Sequence, residues 1–147
     1  MGINIWQGWA IDELKAYASL KEFIESIPER MKMIDASMEG MNGISFSAAH
    51  ARGGQRDRAD RYAAAIDRKD ELERQARSAR MRVGCIDQVL DSLDEDRRIV
   101  LQRFFIFPEK GAAERLADDL GVEIKTVYRL RTDALEYCTT ALFGRAH

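Results

Sequence analysis

The 147-residue chain has two cysteines, two histidines and two prolines, and each scarcity removes a class of protein. Cys85 and Cys138 fall in helix-like stretches without a CxxC partner, so neither a disulfide framework nor a zinc site is expected and a reduced chain is. His50 and His147 stand away from any cysteine or carboxylate at metal-ligand spacing, and both read as surface residues. No metal, no cofactor and no enzyme activity is predicted. No window approaches the roughly 20 apolar residues that cross a bilayer. The first residues lack the basic n-region and apolar core of a signal peptide, which predicts a cytoplasmic chain without membrane contact. Aromatics make up 8% against 33% charged residues; with proline so rare, that balance favours long solvated helices over an all-β fold.

What is present is helical periodicity. Over 11–39, Leu14, Tyr17, Leu20, Ile24, Ile27, Met31, Ile34 and Met38 recur every three or four residues, which predicts one striped helix. Pro28 has no N–H and crowds the preceding turn, so a kink or short break is expected there, with Ser26 as the cap of a new helix. Trp6 and Trp9 are placed ahead of this helix, packed on the hairpin end or in a dimer contact. Glycines 40, 43, 53 and 54 mark 40–55 as a loop. A second helix follows over 56–90. Its residues Tyr62, Ala65, Leu72, Ala76, Ala79, Val83, Ile86 and Leu90 fit a seam near 3.5 residues. Two long striped helices joined by one loop predict an antiparallel hairpin over 1–91, with self-association through the same stripes left open.

Shorter helices fill 92–147. Asp94 caps a helix running to about 105, Pro108 stops it, and two more helices over 112–120 and 124–143 flank a turn at Gly121. Within 113–135, AERLADDLGVEIKTVYRLRTDAL, every special position suits a helix-turn-helix. Ala117 is small where helices cross, Gly121 supplies a positive-φ turn, and Leu116, Leu120, Val122, Val127 and Leu130 fill the wedge. An ordinary helical hairpin with a glycine cap is the plainer alternative. The second helix also offers Lys125, Thr126, Tyr128, Arg129, Arg131 and Thr132 with no acid from 124 to 132. Such a face suits a major groove, with Lys125 or Arg129 reading guanine edges while Thr126, Tyr128 and Arg131 hold phosphates.

The stretch LDEDRRIVLQRFF (93–105) followed by 113–135 resembles region 4 of sigma-70-type factors. Preceded by a long helix, a glycine-rich loop and a second charged helix, it is similar to small phage regulators of the ArpU type. The resemblance implies an all-α fold and a transcriptional regulator that binds double-stranded DNA at promoters. Glu123, Ile124, Lys125, Thr126, Tyr128 and Arg129 occupy the positions that face DNA in that family. It also implies RNA polymerase or a second copy as partners of the hairpin. Ile124 departs from the polar or basic residue usual there, and nothing resembles the promoter-melting region of a complete sigma factor.

Two other readings stay open: a module that binds polymerase or another regulator without reading DNA, and a phage packaging subunit that recognises DNA. The net charge of -2 favours neither. Resolved by segment, 52–82 carries ten basic against six acidic side chains, which suits either a DNA-backbone contact or a salt-bridged coiled-coil exterior. Asp118 and Asp119, being adjacent on a helix, point about 100° apart and cannot share one reacting atom.

Overall fold

The first helix, α1 (Ile5–Asn42), begins six residues earlier than its apolar stripe suggests. Its start is built by a reciprocal cap: the Gln7 amide donates to Asn4 Oδ1 at 2.9 Å while the Asn4 amide donates to Gln7 Oε1 at 3.3 Å, so two orphan helix donors are satisfied at once. Trp6 and Trp9 therefore lie inside α1 rather than ahead of it. The helix also runs unbroken through Pro28. Ser26 caps nothing new; its hydroxyl donates to the Phe23 carbonyl at 2.6 Å and accepts from Arg30 Nε at 2.9 Å. Pro28 itself is exposed, on a side where water can replace the donor that proline lacks.

The computed structural model describes residues 2–42 and 54–145. His50, His147, Arg52 and residues 43–53 of the predicted loop lie outside them. Gly40 and Gly54, predicted as loop, belong to helices. The second helix, α2 (Gly54–Ser92), is followed by α3 (Glu95–Leu101), a π-helical turn (Gln102–Ile106), α4 (Ala112–Leu120) and α5 (Ile124–Phe143). The protein is all-α, a long antiparallel helical hairpin followed by short helices, with no strand among the described residues. No helix among them is long and apolar enough to cross a membrane.

The chain packs as two compact units, Met1–Lys21 with Arg80–His147 and, separately, Glu22–Ala79. Packing therefore does not divide the chain at 91/92, where the sequence places the end of the hairpin. Residues on both sides of that point are tied together. Arg98 Nε donates to the Leu90 carbonyl at 2.9 Å, which also takes the Leu93 amide at 3.3 Å, and its Nη2 donates to the Leu93 carbonyl at 3.1 Å, a side-chain contribution to the end of α2.

In the unit Glu22–Ala79, Ile27 packs with Leu72 and Ala76, and Phe23, Met31 and Ile34 close around them. Further along α1, Asp35 meets Lys69 at 2.7 Å. Partners thus advance along α1 as they retreat along α2, which makes the arms antiparallel. Alanines 65, 76 and 79 give α2 a narrow seam, close enough for a two-helix contact but able to bury little area per residue.

The other unit holds the larger core. Leu14, Ile86, Val100, Leu101, Leu116, Val127, Cys138 and Thr139 are fully buried in it. Thr139 turns its hydroxyl to the Leu135 carbonyl at 2.6 Å, so its burial leaves no polar atom unpaired. Burial pushes the Cys138 thiol up to about 12, which keeps it protonated and inert. Arg82 grips Glu13 with two bonds of 2.6 and 3.0 Å. The Tyr17 hydroxyl donates to Asp87. Trp6 meets Trp9 edge to face at 4.9 Å between centroids, and Phe143 lies 6.0 Å from each.

Candidate nucleic-acid interface

Asp94 starts the C-terminal module as its sequence predicts, with its carboxylate accepting the Arg97 amide at 3.2 Å and Glu95 and Asp96 at the positive end of α3. The next segment departs from a plain helix. Gln102–Ile106 widens into a π turn, closed where the Phe107 amide reaches the Gln102 carbonyl at 2.7 Å. The two helices that follow lie where the sequence places them.

Gly121 makes the turn between them. It sits at φ 66° and ψ 37°, a left-handed conformation that costs a residue with a Cβ about 1–2 kcal/mol. Its amide donates to the Asp118 carbonyl at 3.3 Å and the Val122 amide to the Ala117 carbonyl at 3.0 Å, the pair of reversed bonds that ends a helix in a Schellman motif. Val122 is thereby turned onto the core of Val100, Leu116, Ala117, Val127 and Leu130, which Ile99, Phe104 and Leu120 complete. All five residues predicted for the wedge are in it, with Ala117 at the crossing. Both α3 and α4 pack on α5.

With Val127, Leu130 and Ala134 turned inward, the opposite side of α5 is fixed by the helical period. Lys125, Tyr128, Arg129 and Thr132, spaced i, i+3, i+4 and i+7, share that exposed stripe. Lys125 is 83% exposed and lies 3.2 Å from Glu123; Arg129 has no carboxylate partner among the described residues. Tyr128 is exposed, and Thr132 anchors locally, its hydroxyl donating to the Tyr128 carbonyl at 3.0 Å. Glu123 is the N-cap of α5 without a side-chain cap bond, and Ile124, 43% exposed, opens the first turn. Thr126 is half-buried, off the stripe.

Arg131 does not join the others. Its guanidinium carbon lies 5.0 Å from the Phe104 ring centroid and 4.8 Å from that of Tyr128. The fold thus brings four of the eight predicted residues to one stripe, sets Glu123 and Ile124 at its N-terminal end, and turns Thr126 and Arg131 aside. Phe104, which the sequence places only in the helix that Asp94 caps, is the residue missed.

Arg97 and Arg103 are engaged inside the module. Arg97 pairs with Asp94 at 2.7 Å and Asp133 at 3.3 Å, and Arg103 with Glu109 at 3.0 Å and Asp119 at 2.6 Å. Hydrogen bonds to Glu109 and Asp119 push the Arg103 guanidinium above its ordinary range. These side chains tie α3, the π turn, α4 and α5 together, leaving positive charge on the outer stripe of α5 to Lys125 and Arg129. On α2, Lys69, Arg74 and Arg82 are paired with Asp35, Glu71 and Glu13, which fits the salt-bridged exterior for those three positions. No group of three or more histidine, cysteine, aspartate or glutamate side chains that could hold a metal occurs among the described residues.

A segment running from the end of α1 through α2, α3 and α4 into α5, residues 41–139, matches the family described as protein of unknown function (DUF1492). The chain belongs to that family. No curated protein and no solved structure matches it.

Proposed function

We propose that this protein is a DNA-binding transcriptional regulator of the sigma-70 region-4-like class, phage or prophage encoded, which lays α5 in the major groove at promoters. The observation that carries the reading is the stripe of Lys125, Tyr128, Arg129 and Thr132, acid-free and exposed on the second helix of a helix-turn-helix. Lys125 and Arg129 are long enough to reach base edges, and the first-turn amides of α5 lie where a phosphate is favoured. The hairpin then serves self-association or contact with RNA polymerase.

The test is a shift assay of the full chain on promoter fragments over a range of salt. Three or four phosphate contacts give a slope of log K against log salt of about -2.7 to -3.6. The double reversal K125E/R129E is expected to abolish retention while leaving capture of RNA polymerase intact. Binding that ignores salt, or that ranks all fragments equally, rejects the reading. A second reading, a module that docks on polymerase without reading DNA, is favoured by one observation: Ile124, an apolar side chain, is exposed at the leading turn of α5. It predicts that Ile124→Asp, and not the charge reversal, breaks polymerase capture.

A further inference from the structure

Arg131 has the residue type of a phosphate contact and the position of something else. Its guanidinium spans the faces of Phe104 and Tyr128, whose centroids are 6.3 Å apart with the rings inclined at 45°. Phe104 is half-buried against the core of the helix-turn-helix, so one side of this stack is fixed. Tyr128 is exposed on the outer stripe, so the other side is not fixed by packing. A guanidinium over two aromatic faces is held by the quadrupole of each ring, and the planar group suits this better than an ammonium. No carboxylate competes for Arg131 among the described residues, and the Thr132 hydroxyl holds the carbonyl of Tyr128.

Resting on the reading of α5 as a DNA helix, we propose that Arg131 is a positioning residue. It clamps the Tyr128 ring between Phe104 and the groove, and Tyr128, not Arg131, touches DNA. Fixing the ring before binding removes the ordering cost that a free tyrosine would incur on the complex. The ring edge then meets the apolar groove edge of thymine, the C5 methyl, and specificity at that base step depends on a residue that never reaches it.

The experiment uses the full-length chain and a fluorescein-labelled duplex selected on it from a random library. Anisotropy titrations over a salt series compare wild type with R129Q, R131A, R131K, Y128A and R131A/Y128A. Each phosphate contact adds about 0.9 to the magnitude of the salt slope, so a variant that loses one lowers it by that amount, and R129Q, at a residue that reaches base edges, is the comparison for loss of a base contact. R131A is expected to weaken binding about three- to tenfold, the scale of a part-exposed cation–π contact, with the slope unchanged. R131K, which keeps the charge, should bind as weakly as R131A, and R131A should add nothing to Y128A. Melting temperatures within a few degrees of wild type, and loss of the upfield ring-current shift of the Arg131 Hδ protons in F104L, tie the effect to the stack.

A reduced slope in R131A, recovery in R131K, or additivity with Y128A makes Arg131 a phosphate contact and overturns the proposal. So does undiminished binding by R131A. If no duplex is selected by the wild-type chain, the DNA reading fails before any variant is compared, and this role fails with it.

Discussion

Both compact units are made of striped helices, yet only one has a deep core. In Glu22–Ala79 two arms meet along alanines, with Ile27 and Leu72 the large buried side chains, while Met33 stays 67% exposed. In the other unit, helices approach from several directions and shut Leu14, Leu101, Leu116 and Val127 away from water entirely. Two parallel cylinders touch along a line, and a line buries less apolar area than a wedge of three or more. Periodicity makes a helix; the number of neighbours decides how much it gains.

The largest test of this difference is truncation in the two cores. Leu116→Ala is expected to lose about 3–5 kcal/mol in denaturant unfolding, and Leu72→Ala, in a seam able to close on itself, about 1–2. Equal losses would erase the contrast. Next, Gly121→Ala is expected to cost about 1–2 kcal/mol because of its positive φ, whereas Gly40→Ala, inside α1 with open space around it, should be neutral or stabilising.

The alkaline limit sharpens the comparison further. Burial first, then the hydrogen bond to Asp87 and the charges of Asp87 and Asp91, push the Tyr17 hydroxyl from 10.0 up to about 12. The folded chain therefore holds a proton that the unfolded chain gives up earlier, so this contribution is complete below pH 10 and lost as pH rises through about 12. Tyr17→Phe should flatten the unfolding free energy across that window; an unchanged slope would assign the alkaline transition elsewhere. The smallest effect is expected at the ion pair of Glu13 with Arg82, part-exposed despite its two bonds. Glu13→Gln should cost about 0.2–1 kcal/mol and less in high salt.

How much the sequence reveals follows the same division. Leu116, Ala117, Gly121, Val122, Val127 and Leu130 lie within fifteen residues of one another, and their spacing alone places α4, the turn and α5. The N-cap at Asp94 is equally local. The start of α1 was also readable, since Asn4 and Gln7 have the spacing of a capping box, but a search led by the apolar stripe begins at Ile11. Pro28 misleads because the energetic cost of a proline depends on whether water reaches the orphan carbonyl, which only the tertiary structure decides.

At the candidate site, the outward stripe of Lys125, Tyr128, Arg129 and Thr132 is helical geometry and was legible. The fate of Arg97, Arg103 and Arg131 was not. Their partners, Asp133, Asp119 and Phe104, come from other elements, so arginines alike in the sequence divide into those spent on the fold and those left for a ligand. The π turn at Gln102–Ile106 has no marker in the sequence, and it carries the ring over which Arg131 rests.

Trp6 and Trp9 meeting Phe143 has a consequence for how the chain is made. The first turns of α1 emerge from the ribosome well before Phe143, the aromatic side chain they meet. Until then Trp6 and Trp9 lack that partner, and the contact joins residues far apart in sequence, the kind of closure that forms late. A pulse-labelled ribosome display series should find the two tryptophans solvent-quenched in every nascent chain that stops before α5 is complete.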